Sequence, residues 1–325
     1  MTSISVVIPA YNAELTIYET ICSVQQQTLK DLEIIVINDG STDGTITVLN
    51  QIQEPRLKIF TYENGGLPTA RNRGISQASG DFIAFLDADD LWTPDKLELQ
   101  MKSLADHPEA AVAYSWTVFM DEQGQSFHQG QRFSYFEGNV LKNLLVWNFI
   151  ESGSNPLIRR EAIETVGEFD PSQPPAADWD YWLRLAIKYP FVLVRKPQIF
   201  YRQSGTQMSS KVEAMENSQL SVLDKIFDSL PPNLHYLRNK SVSHIYQYST
   251  QLYLNKLKGD EGVRKAQEKF IQSVKLYPPI LFDGKTLNLA LKLLIRKMLP
   301  DTISELVLDK IKRLKARSKT SLKDV

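Results

Sequence analysis

Hydrophobic and polar positions follow two alternating patterns over the first third of the chain. Short apolar runs rich in β-branched residues predict buried strands, and the segments between them carry apolar residues at helical spacing. Strands are predicted at 4–8, 33–37, 57–61 and 82–86, with Pro9 ending the first, and helices at 14–28, 41–52, 68–78 and 94–105. Alternating strands and helices of this length predict parallel pairing with right-handed crossovers. The fold class is therefore α/β through about residue 115.

The later part of the chain is less regular. Strands are predicted at 112–120 and 154–160, and helices at 137–149, 160–166 and 182–189. From about residue 212 only helical patterning remains. We therefore expect one domain over 1–210, with halves at about 1–110 and 111–210. A helical C-terminal region with a basic tail is expected over 211–325.

An acidic cluster follows the fourth predicted strand. The apolar run at 83–86 ends abruptly in Asp87, Ala88, Asp89 and Asp90. Carboxylates gathered at a strand end repel one another, and a hard divalent cation bound through oxygen offsets that cost. Ligands of open α/β sheets also bind at the carboxyl ends of strands. The cluster therefore indicates a metal that bridges the protein to a phosphate-bearing substrate, and the alternative is an acidic turn that caps the next helix.

Composition and charge exclude several classes of protein. The 325 residues are 42% hydrophobic and 23% charged, and the formal net charge is -1, so we expect no nucleic-acid partner. No apolar run of membrane-spanning length is present, and the N-terminus has no signal-peptide pattern. The single Cys22 cannot form an internal disulfide. We read it as a core residue in a reducing compartment and expect a cytoplasmic protein.

Five segments occur in an order and spacing that resemble a known family. They lie at 9–12, 38–43, 70–74, 86–90 and 178–185. Together they resemble the inverting nucleotide-sugar transferases of glycosyltransferase family 2, over about residues 1–205. The resemblance implies a hexosyltransferase with a GT-A fold, in which flanking helices cover a Rossmann-like, mostly parallel central sheet. It also implies a nucleotide-diphosphate sugar donor, with a UDP-sugar as first choice, and a divalent Mn or Mg cofactor.

The resemblance also assigns residues to the donor side. The family position that matches Asp39 contacts the nucleoside, and helix capping is the alternative for this side chain. Pro9, Tyr11 and Asn12 match the loop beside the nucleotide, where Tyr11 either packs on the base or is an ordinary packing aromatic. Arg71 suits a phosphate or a base oxygen, unless it is a solvated helix arginine.

The same resemblance assigns different roles to the aspartates of the acidic cluster. Asp89 is the first choice for direct metal ligation, and Asp87 for a ribose or water-mediated contact. Asp90 is expected to cap the helix that begins near residues 93–94, in preference to holding a metal-bound water.

Inverting transfer is a single displacement, so a general base must lie near the acceptor hydroxyl. Asp178 matches the base position, although Ala177 stands where the family usually has Glu. Asp180 is the competing candidate for the base. The alternative for both residues is a structural role, in which acids stabilise a helix N-terminus through the helix dipole. Trp179 and Asp180 are placed on the acceptor side, whereas Trp182 is expected in the core.

The C-terminal segment is rich in positive charge. From Lys285 onward eleven Lys or Arg stand against four acids, with apolar residues interleaved over 288–299. This composition suits a helix at an anionic membrane surface. The slightly favoured alternative is an ordinary helix that packs its apolar face and is followed by a solvated end.

The leading function is metal-dependent inverting sugar transfer to a saccharide or lipid-linked saccharide. Such a reaction belongs to cell-surface polysaccharide or glycolipid synthesis, and peripheral binding at the inner face of the membrane would suit it. The main alternative is a catalytically inactive sugar-nucleotide-binding protein, which only Ala177 supports. Nucleotidyltransferases and dinucleotide-dependent oxidoreductases are disfavoured, because no Gly-rich phosphate loop follows the first strand.

Overall fold

A computed structural model describes residues 3–125, 127–128, 133–203, 211–257, 259–300, 302–308 and 310–311. The chain divides into two compact units, Met1–Gln207 with Asp224–Ser229, and Met208–Leu223 with Leu230–Val325. The assignment of a catalytic domain to 1–210 and of its two halves stays a prediction.

The first unit is built around one sheet. Its strands are β1 (Ile4–Ala10), β2 (Leu32–Asp39), β3 (Leu57–Tyr62), β4 (Phe82–Phe85), β5 (Leu91–Trp92), β6 (Val112–Met120), β7 (Phe127–His128), β8 (Leu157–Arg159) and β9 (Phe191–Arg202). Their order is β3-β2-β1-β4-β8-β6-β9-β5, and β7 pairs with β6. Pairing is parallel from β3 through β4, whereas β8 is antiparallel to both of its neighbours. The α/β class is confirmed, with a mixed second half.

Helices cover both faces of the sheet. They are α1 (Ile17–Gln25), α2 (Thr45–Gln51), α3 (Leu67–Gln77), α4 (Lys96–Asp106), α5 (Leu141–Val146), α6 (Arg160–Val166) and α7 (Ala177–Lys188). On one face Val6 packs with Ile21 of α1, and on the other Ile37 packs with Ala70 of α3. Because successive strand residues point to opposite faces, both sets of side chains are buried. This explains the continuous apolar runs of β1 and β2.

β1 and β9 differ from the sequence prediction in ways that bear on the sheet. Pro9 does not end β1 but pairs with Ile37 of β2. On the other side β4 reaches only as far as Val7, so Pro9 lies beyond the doubly paired part of the strand. The sequence reading also missed β9, whose apolar pattern is broken by Arg195, Lys196 and Pro197. The pairing of β9 with β6 shifts register at this break.

The second unit is helical throughout its described part. It contains α9 (Arg238–Lys256), α10 (Gly259–Leu276), α11 (Gly284–Met298) and the start of α8 (Val212–Ser229). Leu252 and Leu254 of α9, Ala266 of α10, and Leu289 and Leu293 of α11 share its core. Within the described residues, none of the helices combines the length and apolarity needed to cross a membrane. Most of the predicted basic tail, 312–325, lies outside the described residues.

Candidate active site

Polar side chains gather where β1, β2 and β4 end. Asp39 is the last residue of β2, Asp87 follows β4, and the loop after β1 carries Tyr11 and Asn12. The parallel pairing brings the carboxyl ends of these strands to one edge of the sheet. This edge is where an open α/β sheet binds its ligand.

Asp39 is buried and holds the turn that precedes α3. Its carboxylate accepts backbone N–H groups from Gly65 at 3.0 Å and Gly66 at 2.8 Å. Arg73 Nη1 donates to the same carboxylate at 2.7 Å. A carboxylate oxygen accepts up to two hydrogen bonds, so Oδ2 keeps an acceptor position for a ligand. Asp39 does not cap α2, because Asp43 accepts the N–H of Thr45 there.

Arg71 is a buried side chain and not a solvated helix arginine. Its Nη2 donates to Asp87 Oδ1 at 2.7 Å, and its guanidinium lies 5.4 Å from the Phe169 ring centroid. A Cβ built on Gly153 would lie 2.1 Å from the same Nη2, so this position must lack a side chain. The Nε of Arg71 is buried and has no hydrogen-bond partner among the residues that the structure describes. Arg71 therefore presents an unused donor beside Asp87.

The loop after β1 is tied to the loop after β2. The backbone N–H of Asn12 donates to Ser41 Oγ at 3.0 Å, and Asn12 Oδ1 accepts the N–H of Thr42 at 2.8 Å. Asn12 adopts a positive φ of 50°, which Asn tolerates better than most residues. Tyr11 next to it is 55% exposed and is therefore not a packing aromatic. Pro9 lies within β1, two residues earlier.

A serine loop that sequence reasoning missed supports the acidic cluster. Ser154 Oγ accepts the backbone N–H of Asp87 at 2.9 Å and donates to Asp90 Oδ2 at 2.6 Å. Ser152 Oγ also donates to Asp90, at 3.3 Å. The predicted strand at 154–160 is shorter, because Ser154 and Asn155 belong to this loop and β8 begins at Leu157. A Glu-Ser-Gly-Ser-Asn stretch at 151–155 was the available signal.

Asp90 is not a helix cap, contrary to the sequence prediction. It is completely buried and lies six residues before α4. Besides the two serine hydroxyls, it accepts the backbone N–H of Arg202 at 3.0 Å. Burial raises the pKa of Asp90 well above its ordinary value, and the charges of Asp89 and Asp87 raise it further. The cluster therefore has the carboxylate repulsion that the sequence predicted.

Asp89 is half-buried and lies between Asp87 and Asp90 along the chain. Its backbone carbonyl accepts Arg202 Nε at 2.8 Å, and Arg202 Nη2 pairs with Glu19 at 2.9 Å. Across the part of the chain that the structure describes, no three His, Cys, Asp or Glu side chains are grouped to hold a metal ion by themselves. Magnesium-type ions in nucleotide sites are held by one or two carboxylates together with substrate phosphates. The carboxylates of Asp87 and Asp89, both partly exposed, fit a metal of that kind.

Asp178 lies in the first turn of α7. Burial raises the pKa of Asp178, and the nearby Asp87 charge adds to this rise. Arg71 opposes it, as do hydrogen bonds from the Trp179 N–H at 2.7 Å and Asn148 Nδ2 at 3.3 Å. Arg71 and Asp87 are paired at 2.7 Å, and the charges of both act on the pKa of Asp178, which places this carboxylate near the pair.

Trp179 and Asp180 are both buried, and their placement on the acceptor side stays a prediction. Trp179 is buried, and its Nε1 donates to the Leu144 carbonyl at 2.9 Å. Asp180 is fully buried between two cations, with Arg184 Nε at 2.9 Å and Lys225 Nζ at 3.0 Å. The helical period of α7 turns both side chains inwards, while Asp178 stays partly accessible. Trp182 is a core residue, as expected.

Comparison with known sequences and structures agrees with this arrangement. Residues 5–251 match the family described as Glycosyltransferase like family 2. The chondroitin synthase of Pasteurella multocida (strain Pm70) is 30% identical over 305 residues, which cover 88% of this chain and 30% of that protein. The chain therefore spans less than a third of the length of this relative.

Two solved structures share the fold. Residues 1–349 of S. aureus TarS in complex with UDP-GlcNAc superpose with a TM-score of 0.64 at 17% identity, covering 90% of each chain. The mannosyltransferase PcManGT from Pyrobaculum calidifontis in complex with GDP-Man and Mn²⁺ gives a TM-score of 0.56 at 18% identity, covering 90% of this chain and 86% of that one. These structures confirm the predicted GT-A fold. By its five motifs, its fold and its match over residues 5–251, the chain belongs to glycosyltransferase family 2.

Proposed function

We propose that the protein transfers a sugar from a nucleotide-diphosphate donor to a hydroxyl acceptor with inversion at the anomeric carbon. The observation that carries the proposal is the grouping of Asp87, which follows β4, with Arg71 of α3 and Asp178 of α7. A cation, an acidic cluster and a separate carboxylate of raised pKa are the groups that this displacement needs.

The donor is proposed to lie along the strand ends. Asp39 accepts a hydrogen bond from the nucleoside at the second acceptor position of its Oδ2. This position lies next to the loop of Pro9, Tyr11 and Asn12. The donor nitrogens of Arg71 suit the diphosphate, since a guanidinium matches phosphate oxygens well. The complexes of the two structural neighbours, with UDP-GlcNAc and with GDP-Man, support a nucleotide-diphosphate sugar. A UDP-sugar is our first choice.

Asp89 is proposed to hold a divalent Mn or Mg, with Asp87 in a ribose or water-mediated contact. When bound, such an ion neutralises charge on the departing diphosphate. The Mn²⁺ in the PcManGT complex supports this cofactor class. Asp90, Ser154 and Arg202 fix the backbone that carries both carboxylates.

Asp178 is proposed as the general base that takes the proton of the attacking hydroxyl. Its raised pKa makes it a better proton acceptor than an ordinary carboxylate once it is ionised. Asp180 has no such role, because both of its oxygens bind cations. The family's Glu is replaced by the buried Ala177, so the reaction in this chain depends on Asp178 without that neighbour.

The acceptor is proposed to be a saccharide or a lipid-linked saccharide in cell-surface polysaccharide or glycolipid synthesis. The similarity to a chondroitin synthase supports polysaccharide as the product class. We further propose a cytoplasmic protein that binds the inner face of the membrane. The apolar side chains that α11 exposes and the basic composition of this part of the chain support that location.

Donor hydrolysis tests the proposal without knowledge of the acceptor. Wild-type protein is incubated with a panel of UDP- and GDP-sugars, with Mn²⁺, Mg²⁺ or EDTA, and the released nucleotide is measured. We expect hydrolysis of at least one donor that EDTA abolishes. Asp89→Ala should abolish it too, while melting without metal stays unchanged or rises because carboxylate repulsion is relieved.

Other outcomes separate the alternatives. Binding of a nucleotide sugar without hydrolysis under any condition favours the inactive binding protein. Full activity of Asp89→Ala would contradict the metal assignment alone.

A further inference from the structure

We propose that an exposed aromatic surface beside the Asp178 carboxylate binds the saccharide acceptor. The surface consists of Trp116 on β6, Phe133 and Tyr135 in the segment before α5, and Trp147 at the end of α5. The inference rests on the proposed function and adds the acceptor subsite.

The rings at one end of this surface are held in a fixed arrangement. Trp116 and Phe133 are stacked, with centroids 4.3 Å apart and planes within 6°. Tyr135 meets Trp116 edge to face at 5.3 Å. Trp116 Nε1 donates to the Ser134 carbonyl at 2.8 Å, which fixes the indole while the rings stay partly open. Tyr135 leaves 60% of its surface exposed to solvent.

The other end of the surface adjoins the proposed base. Asn148, which donates to Asp178, directly follows Trp147 along the chain. The Phe149 ring lies 6.3 Å from Trp147 and 5.0 Å from Phe136, the residue after Tyr135. Ring contacts through the buried Phe149 therefore join Trp147 to Phe136, and Phe136 is the chain neighbour of Tyr135, so this row of aromatic residues runs from the neighbourhood of the base towards Tyr135.

The chemistry of this surface suits a carbohydrate. The C–H face of a pyranose is apolar and packs on an aromatic face, while its hydroxyls need polar partners at the edge. Arg195 lies 5.9 Å from the Tyr135 ring centroid and pairs with Glu137 at 3.3 Å. A positively and a negatively charged side chain therefore lie at the edge of the surface. Exposed aromatic rings beside a few polar groups are typical of ligand sites. Because Trp147 directly precedes Asn148, which donates to Asp178, a saccharide bound at this end of the row would present a hydroxyl to Asp178.

A matched pair of tyrosines tests the inference. Tyr18 on α1 is 59% exposed, nearly the same as Tyr135, and lies outside the row of aromatic contacts. Wild type, Tyr135→Ala, Tyr135→Phe and Tyr18→Ala are applied to an array of immobilised oligosaccharides, and the affinity for the best-bound oligosaccharide is measured by calorimetry. We expect Tyr135→Ala to weaken binding about tenfold, which corresponds to about 1.4 kcal/mol. Tyr135→Phe keeps the ring and should stay within about twofold, and Tyr18→Ala should match wild type.

A second measurement does not depend on the alanine variant. Adding the same oligosaccharide to wild type should change tryptophan fluorescence, and Trp116→Phe should remove part of that change. In transfer assays the acceptor KM of Tyr135→Ala should rise, with the KM for the nucleotide sugar as the internal reference.

The inference is overturned if wild type binds no oligosaccharide, or if Tyr135→Ala binds as wild type does. Loss of binding in Tyr18→Ala to the same extent would also overturn it. Failure of the proposed function gives a different result, because it abolishes donor hydrolysis whether or not saccharide binds to the aromatic surface.

Discussion

At the scale of single residues, the candidate site depends on which charged groups are neutralised by the protein and which are not. Asp180 is enclosed by Arg184 and Lys225, and Asp39 holds the turn before α3. Among the described residues, Asp178 accepts hydrogen bonds from Asn148 and from the Trp179 N–H, and it keeps partial access to solvent. We therefore expect Asp178 and Asp180, which are two positions apart, to have different roles: Asp178 in catalysis and Asp180 in stability.

Replacing Asp178 by Asn should lower the turnover number far more than it changes the KM for the nucleotide sugar. Loss of a general base costs roughly 10²- to 10⁴-fold in rate, whereas binding of the donor does not use this carboxylate. Steady-state kinetics of transfer measure both quantities. Asp180→Asn is the control, and we expect it to lower the melting temperature more than the turnover number. A large turnover loss in Asp180→Asn with a nearly silent Asp178→Asn would move the base to Asp180.

The same aspartate determines the acid side of the pH profile. Burial raises the pKa of Asp178, and a base acts only in its deprotonated form, so the turnover number should fall as pH drops through this raised pKa. The midpoint should therefore lie above about 3.9, the value of an unperturbed aspartate. Replacing Arg71 by Met removes a charge that opposes the rise, so the midpoint should move to still higher pH. No movement of the midpoint in Arg71→Met would contradict the placement of Asp178 near Arg71.

Gly153→Ala should impair donor binding although residue 153 is not expected to touch the donor. The new Cβ would lie 2.1 Å from Arg71 Nη2, so the guanidinium must leave its position on Asp87. We expect the affinity for the nucleotide sugar to fall about tenfold or more, with modest loss of stability. Calorimetric titration measures this. Gly284→Ala is the control, since a Cβ there meets nothing within 4 Å and it should bind as wild type does.

At the scale of elements, the central strands carry one buried charge that ties several segments together. Glu33 on β2 accepts the hydroxyl of Ser5 on β1 at 2.6 Å, and the backbone N–H and hydroxyl of Ser79 after α3, both at 2.7 Å. Lys58 on β3 pairs with its other oxygen at 2.7 Å. Burial alone would raise the pKa of Glu33, but these partners outweigh it and lower the pKa to about 2.

Glu33→Gln should therefore destabilise the protein in a pH-dependent way. A carboxyl whose folded pKa is lowered contributes stability above its unfolded pKa of about 4.3 and loses it as pH falls towards 2. We expect the variant to be about 2 kcal/mol less stable at pH 7, with the difference from wild type shrinking over that acid range. Urea unfolding at several pH values measures this. Glu109→Gln, at an exposed position, is the control. If its free energy of unfolding changed with pH as much as that of Glu33→Gln, the stabilising role of the Glu33 carboxylate would be contradicted.

At the scale of the whole molecule, α11 has two apolar sides with different surroundings. Leu289 and Leu293 are buried in the core of the second unit. Leu287, Leu291, Leu294 and Met298 recur at intervals of four, three and four residues and are 42 to 72% exposed. At helical spacing these four side chains form one stripe, and exposed stripes of this kind mark interaction surfaces. The second unit therefore both packs α11 and leaves an apolar surface open.

The double variant Leu291→Glu/Leu294→Glu should weaken binding to vesicles that contain anionic lipid. The apolar stripe is lost, and the new negative charges oppose the attraction of nearby Lys and Arg, each worth roughly 1 kcal/mol at low salt. Co-sedimentation with anionic and neutral vesicles at rising salt measures this, and wild-type binding should fall steeply with salt. Donor hydrolysis should be retained. If wild type ignores anionic vesicles at low salt, the membrane proposal is wrong, and salt-independent self-association lost in the variant would assign the stripe to a second copy.

The sequence by itself determined the order of elements and the chemical groups at the strand ends. Apolar runs and helical spacing are local patterns, so β1 to β4 and the helices after them could be predicted within a few residues. Asp39, Arg71, Asp87 and Asp178 could be proposed as site residues for the same reason, because each stands in a short motif beside a predicted element. Local order also predicted the fold class.

Only the tertiary structure decided which of these groups are open to a ligand. Whether a carboxylate is neutralised depends on cations far away along the chain, as Lys225 and Asp180 show across 45 positions. The support that Ser154 gives Asp87 spans 67 positions, and the space that Arg71 needs at Gly153 also has no local signature. Burial, desolvation and ion pairing are set by contacts between distant segments, so sequence patterns could name the reactive groups but not their surroundings.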